Sequence, residues 1–267
     1  FKHSSKSKNT IKKENPQMKS TQNPNLSTKS VEVLKKVLSQ NDKKALQMKE
    51  RYAQDGLYVI NLMSSAGSGK TTFLESLADF NNDANNAKSS FDVEQDFHFA
   101  VIEGDLQTNR DAKRLQAKGV QAYQILTGEA CHLDASMIEG AYNSLKSSNA
   151  LENTNYLFIE NVGNLVCPAS YNLGAHINIV LLSTPEGDDK VLKYPTMFLC
   201  ADAIIISKID LLEHFSFDLE RVRSDLSQLK KGVPIFLLSK YNAESIQKVR
   251  EFIIDCKMRG YHSKHRF

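Results

Sequence analysis

No apolar run in this 267-residue chain approaches the roughly 18 residues needed to cross a bilayer. The N-terminus lacks the apolar core of an export signal, so the sequence gives no ground for secretion. There is no internal repeat, no Cys-x-x-Cys pair and no His-rich tract near the start. A membrane span, a solenoid and a second metal store therefore have no support. Residues 1–30 carry seven lysines against one acid, Glu14, but no arginine and no aromatic interleaving. A nucleic-acid arm draws on both, so that stretch reads as solvated and disordered. It also masks the charge of the rest. The total is +3 and this stretch alone is +6, which leaves a mildly acidic body at −3. Only four cysteines are present, Cys131, Cys167, Cys200 and Cys256. Without a secretory signal they indicate a reducing, cytoplasmic setting, where the question is which thiols bind metal.

Hydrophobic residues make up 41% and charged residues 24% of the chain, the balance of an ordinary globular domain. Residues 1–25, rich in Lys, Ser, Asn and Gln, read as a tail. Residues 26–260 read as one domain that opens on a helix, and 261–267 as a short C-terminal tail. Ser27 or Ser30 caps that first helix, which carries Val31, Leu34, Val37 and Leu38 and runs on through Leu46, Met48 and Tyr52 until Gly56 breaks it. The apolar run 57–63 has the length of a strand buried on both faces. Further strands over 97–102, 120–126, 156–159, 177–183, 203–207 and 234–238 alternate with helices over 70–79, 109–118, 132–147, 187–199, 218–230 and 242–257. The Asn-, Asp- and Ser-rich stretch 81–96 reads as an inserted surface loop. The alternation predicts an α/β fold, a mostly parallel twisted sheet with helices on both faces. Ligands of such sheets gather at the carboxyl ends of the strands.

Ser64-Ser65-Ala66-Gly67-Ser68-Gly69-Lys70-Thr71-Thr72 stands between a predicted strand and a predicted helix, the context a phosphate-binding loop requires. Gly67 and Gly69 let backbone N–H groups turn toward phosphate oxygens. Ala66, Ser68 and Thr72 share that wall, Lys70 bridges the outer phosphates and Thr71 offers its hydroxyl to Mg²⁺. Ser64 stands where the pattern has its first glycine. Ser207-Lys208-Ile209-Asp210 follows another strand and resembles the guanine-specificity motif Asn-Lys-x-Asp. Asp210 would accept from guanine N1–H and N2–H₂, a donor pair that adenine lacks, and Lys208 would lie along the base. Ser239-Lys240 is a candidate for a second base-contacting loop. Asp105, in Glu103-Gly104-Asp105, and Glu160, in Glu160-Asn161-Val162-Gly163, end strands where a carboxylate reaches Mg²⁺ or orients the attacking water. Gly163 offers a backbone N–H to the terminal phosphate. Lys70, Asp105 and Glu160 are the catalytic candidates.

Cys131 and His132 fall at the predicted start of helix 132–147, where the helix N-terminus favours a thiolate. Cys167 follows Gly163 by four residues, so a movement at Gly163 is felt at Cys167. Thiolate and imidazole suit Ni²⁺ or Zn²⁺ rather than Mg²⁺. Three ligands are too few for a closed structural zinc site, which points to an open transfer site or one shared between two chains. Spacing alone leaves a second reading open for Cys131 and Cys167, that of two buried core thiols. Cys200 and Cys256 read as core.

Taken together, these stretches resemble the HypB family, the hydrogenase nickel-incorporation GTPases. The resemblance spans about residues 25–260. It rests on 64–72, Glu-Gly-Asp-Leu-Gln-Thr-Asn-Arg-Asp at 103–111, Gly-Glu-Ala-Cys-His-Leu-Asp-Ala at 128–135, Glu-Asn-Val-Gly-Asn-Leu-Val-Cys-Pro at 160–168, Glu-Gly-Asp-Asp-Lys at 186–190 and Ser-Lys-Ile-Asp at 207–210. It implies a P-loop NTPase of the SIMIBI class that hydrolyses GTP with Mg²⁺, works as a homodimer and delivers nickel during maturation of nickel–iron hydrogenase. It further implies that Cys131, His132 and Cys167 bind Ni²⁺ or Zn²⁺ near the dimer interface, and that Lys193, with Lys190 second, reaches the partner chain's nucleotide. The implied partners are the maturation protein HypA and the hydrogenase large subunit precursor, with urease maturation proteins in urease-bearing bacteria. No membrane or nucleic-acid partner is implied. Ala66 departs from the family's usual loop proline, and the 81–96 stretch is an unusual insert.

Overall fold

A computed structural model of the chain describes residues 28–86, 97–105 and 110–263. The expected tail at 1–25 and part of the insert at 81–96 lie outside the described residues. The chain divides into two units, residues 1–36 and residues 37–267. The described part of the first is helical, the opening of α1 (Thr28–Gln54). The second contains all the strands.

Seven strands make one sheet: β1 (Tyr58–Ser64), β2 (Phe99–Asp105), β3 (Gln121–Leu126), β4 (Tyr156–Glu160), β5 (Ile177–Ser183), β6 (Ala203–Ser207) and β7 (Ile235–Leu238). Their spatial order is β3-β2-β4-β1-β5-β6-β7, and every neighbouring pair is parallel. Parallel neighbours need crossovers, here supplied mainly by α2 (Lys70–Asn86), α3 (Arg110–Ala117), α4 (Ala135–Ser147), α5 (Lys190–Lys193), α6 (Pro195–Leu199) and α7 (Leu219–Leu229), while α8 (Ala243–Met258) follows the last strand. β1 is buried at every position because helices cover both faces, which is why its sequence is a continuous apolar run. Phe73, Leu74 and Leu77 of α2 and Val249 and Ile253 of α8 pack on one face. On the other, Met48 and Tyr52 of α1 and Ile138 and Tyr142 of α4 cover β2, β4 and β1. Val191 of α5, Phe198 of α6 and Val222 of α7 cover β5, β6 and β7.

Three expected elements differ. α2 continues through the first six residues of the insert, because nothing in 81–86 breaks a helix. The helix expected at 132 begins at Ala135. The Asp134 carboxylate accepts the N–H groups of Ser136 and Met137, so the cap fixes the start three residues late and leaves Cys131 and His132 in the preceding turn. The helix expected over 187–199 is broken into the short α5 and α6, which follow a 3₁₀ turn at Thr184–Glu186, with Pro195 opening α6 because it lacks an N–H and cannot continue α5.

Candidate functional site

β1 lies at the centre of the sheet, and the chain crosses from its left flank to its right between β4 and β5. The carboxyl ends of β1, β4 and β2 therefore open into one crevice. Gly67 and Gly69 take φ of +74° and +97°, values that favour glycine, and carry the loop from β1 into α2. The Lys70 ammonium is buried and donates to Ser64 Oγ at 3.0 Å. Burial pulls its pKa down, while Glu160, Glu186 and Glu103 pull it up. Thr71 Oγ1 donates to Glu160 Oε1 at 2.8 Å. Burial pushes the Glu160 carboxyl up to about 7 against the opposing pull of Lys70 and Thr71. Its second oxygen, Oε2, has no hydrogen-bond partner among the described residues. These groups line a cavity of ≈ 330 Å³ together with Asp105 and Gly163. A hydroxyl, a buried carboxylate with one free oxygen and a neighbouring Asp105 form the hard oxygen set that suits Mg²⁺. Gly163 packs directly on the loop: a Cβ there would stand 2.6 Å from the Cα of Ala66, so only glycine fits.

A second cavity of ≈ 320 Å³ adjoins the first, lined by Gly69, Thr72, Lys208, Asp210, Lys240 and Tyr241 among others. Lys208 sits in the left-handed region at φ +59°, an uncommon state for a lysine, and its Nζ donates to the carbonyl of Gly67 at 2.8 Å. Ser207 donates to the Ser68 carbonyl at 2.6 Å, so the serine in place of asparagine still ties the strand end to the loop. Ser239 donates to Asp210 Oδ1 at 2.7 Å and orients the carboxylate toward the cavity it lines.

Cys131, His132 and Cys167 converge from two loops, with their ligand atoms within 4.8 Å of one another. The thiols meet at 2.6 Å, and the contact with Cys131 is the main cause that pushes the Cys167 thiol up. His132 stacks on Tyr171 with ring centroids 3.7 Å apart, and burial holds its pKa below the ordinary histidine value. Asn164 Oδ1 accepts the N–H groups of Val166 and Cys167 at 2.7 and 3.1 Å, which fixes the turn presenting Cys167. All three ligands are half-buried, whereas Cys200 and Cys256 are buried. Two sulfurs and one imidazole, open on one side, fit a soft divalent ion.

Lys193 stands apart. It is exposed, paired with Asp189, and outside the lining of both cavities. Lys190 contacts the same Asp189 at 3.3 Å. Sequence reasoning passed over Glu186, whose carboxylate accepts from Ser65, Ser68, and both the N–H and the hydroxyl of Ser183. It also passed over Tyr171 and Asn164, which support the metal loop, and Glu103, which lines the phosphate cavity. Asn164 alone carried a local signal, an Asn three residues before a cysteine in a turn.

The sequence and the fold have counterparts in known proteins. Residues 58–237 match the model of the CobW/HypB/UreG nucleotide-binding domain. The chain is 60% identical over 245 residues to the hydrogenase/urease maturation factor HypB of Helicobacter hepaticus, a match that covers 92% of this chain and 96% of that protein. It is 40% identical over 212 residues to the hydrogenase maturation factor HypB of Escherichia coli, covering 79% of this chain and 68% of that one. The crystal structure of HypB from Helicobacter pylori in complex with nickel superposes with a TM-score of 0.79 at 59% identity, covering 85% of this chain and all of that one. HypB from Archaeoglobus fulgidus gives 0.66 at 31% identity, covering 80% of this chain and 99% of that one. On this matched length and identity the chain belongs to the HypB family of hydrogenase/urease maturation factors, within the CobW/HypB/UreG nucleotide-binding domain class.

Proposed function

We propose that this chain is a cytoplasmic GTPase that couples GTP binding and hydrolysis to nickel delivery for hydrogenase, with urease as a further recipient. The supporting observation is the contact of Gly163 with the backbone of Ala66, four residues before Cys167 on the same loop. A terminal phosphate seated on residues 66–72 would press on Gly163, and the turn held by Asn164 would carry the shift to Cys167.

Asp210, oriented by Ser239, selects guanine, and Lys208 braces the base cavity against the phosphate loop. Lys70 neutralises charge on the outer phosphates. Thr71, Asp105 and Glu160 would hold Mg²⁺, which lowers the charge barrier to phosphoryl transfer. Glu160 and Asp105 are also the groups that orient the attacking water. Nickel is cargo: Cys131, His132 and Cys167 take it up, or Zn²⁺ in its place, and an open coordination side permits release. Three ligands from one chain leave room for a homodimer to complete the site, with Lys193 reaching the partner's nucleotide from its exposed position. HypA is the metal-exchange partner and the hydrogenase large subunit precursor the recipient, with urease maturation proteins on the second route.

The test is Ni²⁺ affinity and sedimentation state measured with GDP and with a non-hydrolysable GTP analogue. Coupling requires the two nucleotides to differ in both readouts. Identical affinity and identical mass in the two states would refute it.

A further inference from the structure

Glu103 and Glu160 are direct partners in the β2–β4 ladder, so their side chains leave neighbouring parallel strands on the same face. Both are almost fully enclosed, at 2% and 5% exposure. Glu103 accepts the backbone N–H of Ala112, and its Oε2 has no hydrogen-bond partner among the described residues. Glu160 has the same orphan oxygen. Both residues line the phosphate cavity beside Lys70 and Thr71. Two carboxyl groups on one buried ladder step oppose each other's ionisation, and a buried carboxyl oxygen without a partner is costly. A sequence does not place two such groups together for stability.

Lys70 is the cation that both carboxylates feel. Its hydrogen bond to Ser64 holds it beside them. When Lys70 turns to the phosphates, the pair loses that compensation, and a divalent cation arriving with the nucleotide restores it. Mg²⁺ takes one or two carboxylates directly and retains several waters. Asp105 and Glu160 already fill the direct role in the function proposed above.

We propose that Glu103 is a third acidic residue of the divalent-cation site, holding the cation through one of its bound waters on the orphan Oε2. It thereby makes cation and nucleotide binding cooperative. The inference rests on the nucleotide-site reading above and extends it to a residue that ends no motif.

The test is Mn²⁺ titration of GDP-loaded protein followed by electron paramagnetic resonance, with wild type, Glu103→Gln and Glu103→Asp. Mn²⁺ prefers oxygen ligands, so the cysteine cluster does not compete for it. Loss of an outer-sphere partner weakens metal binding by about 10–100-fold, the effect expected for Glu103→Gln. Glu103→Asp, which keeps the charge, should bind Mn²⁺ more tightly than the Gln variant. GDP affinity measured in a chelator should not fall in either variant, because losing a carboxyl beside Lys70 leaves the phosphates no worse held. Melting without metal should show Glu103→Gln at least as stable as wild type, because a buried ionisable group with an unpartnered oxygen is gone. Mn²⁺ affinity of the Gln variant within roughly a factor of two of wild type overturns the proposal. So does a Gln variant that melts lower or fails to fold, since the pair would then be structural. Wild type that binds Mn²⁺ equally with and without GDP sinks the nucleotide-site reading instead.

Discussion

The phosphate loop and the cysteine cluster are built in opposite ways. The first is a contiguous stretch whose working parts are backbone groups, fixed by two glycines and a buried Lys70 at the head of a helix. The second is three half-buried side chains from two loops, separated by 35 residues of chain and by a full crossover between His132 and Cys167. On the proposed function, a rigid scaffold suits the recognition of an invariant triphosphate. On the same reading, loops suit the uptake and release of an ion. The two are joined at one close approach, Gly163 on Ala66, which is also the point where the comparison can be broken.

Lys70→Ala should separate the ends most severely. Removing the ammonium is expected to lower GTP turnover by about 10²–10³-fold, as loss of a preorganised charge stabiliser does, while Ni²⁺ titration of the nucleotide-free protein stays unchanged. A parallel loss of Ni²⁺ affinity would mean that the two regions are not separable. Cys167→Ser attacks the other end. With a thiolate ligand lost, Ni²⁺ affinity is expected to fall by about tenfold or more, read by isothermal titration. GDP affinity should not move, because Cys167 lines neither nucleotide cavity.

Gly163→Ala targets the junction. The added methyl group meets the backbone of Ala66, and the overpacking should cost roughly 1–3 kcal/mol in thermal or urea unfolding. The sharper readout is the difference in Ni²⁺ affinity between GDP and GTP-analogue states, which should shrink while each separate site still binds. A variant that melts normally and keeps the full difference would show that the loop and the turn are not in register.

The effect least tied to function lies away from both sites. His176 is buried, stacks on Tyr58, and accepts the Val59 N–H at Nδ1, so it must stay neutral in the fold. Burial, then His262 and two lysines, push its pKa down to about 3 from 6.5. A depressed pKa gives stability that is complete above the unfolded value and lost as pH falls. Between pH 6.5 and 4 this residue should add a slope of at most about 1.4 kcal/mol per pH unit. His176→Gln should flatten that limb in pH-dependent melting. An unchanged slope would place the acid sensitivity elsewhere.

The legibility of the molecule follows the same division. The strand pattern, the loop at 64–72 and the Ser207–Asp210 motif are local, and each was readable because its spacing encodes its geometry. Each of the six helices expected after the first strand has a helix near the expected place. Errors arose where one side chain overrules periodicity: Asp134 delays α4, and Pro195 divides a helix that apolar spacing would continue. The metal cluster was legible only in part. Sequence spacing left Cys131 and Cys167 as open to a core reading as to a ligand one. Their exposure and the stacked His132 favour the ligand reading, and both depend on how two loops fold over the sheet. Glu186 was not legible at all, since its partners Ser65 and Ser68 are over a hundred residues away.

By itself, the sequence determined the order of elements, the phosphate loop and the Ser207–Asp210 motif, because each depends on residues within a few positions of one another. Only the tertiary structure decided that two glutamates share one ladder step, that Gly163 touches the loop, and that two cysteines from separate crossovers meet at a histidine. Those contacts join residues distant in sequence, and only the sheet order β2-β4-β1-β5 brings them within reach.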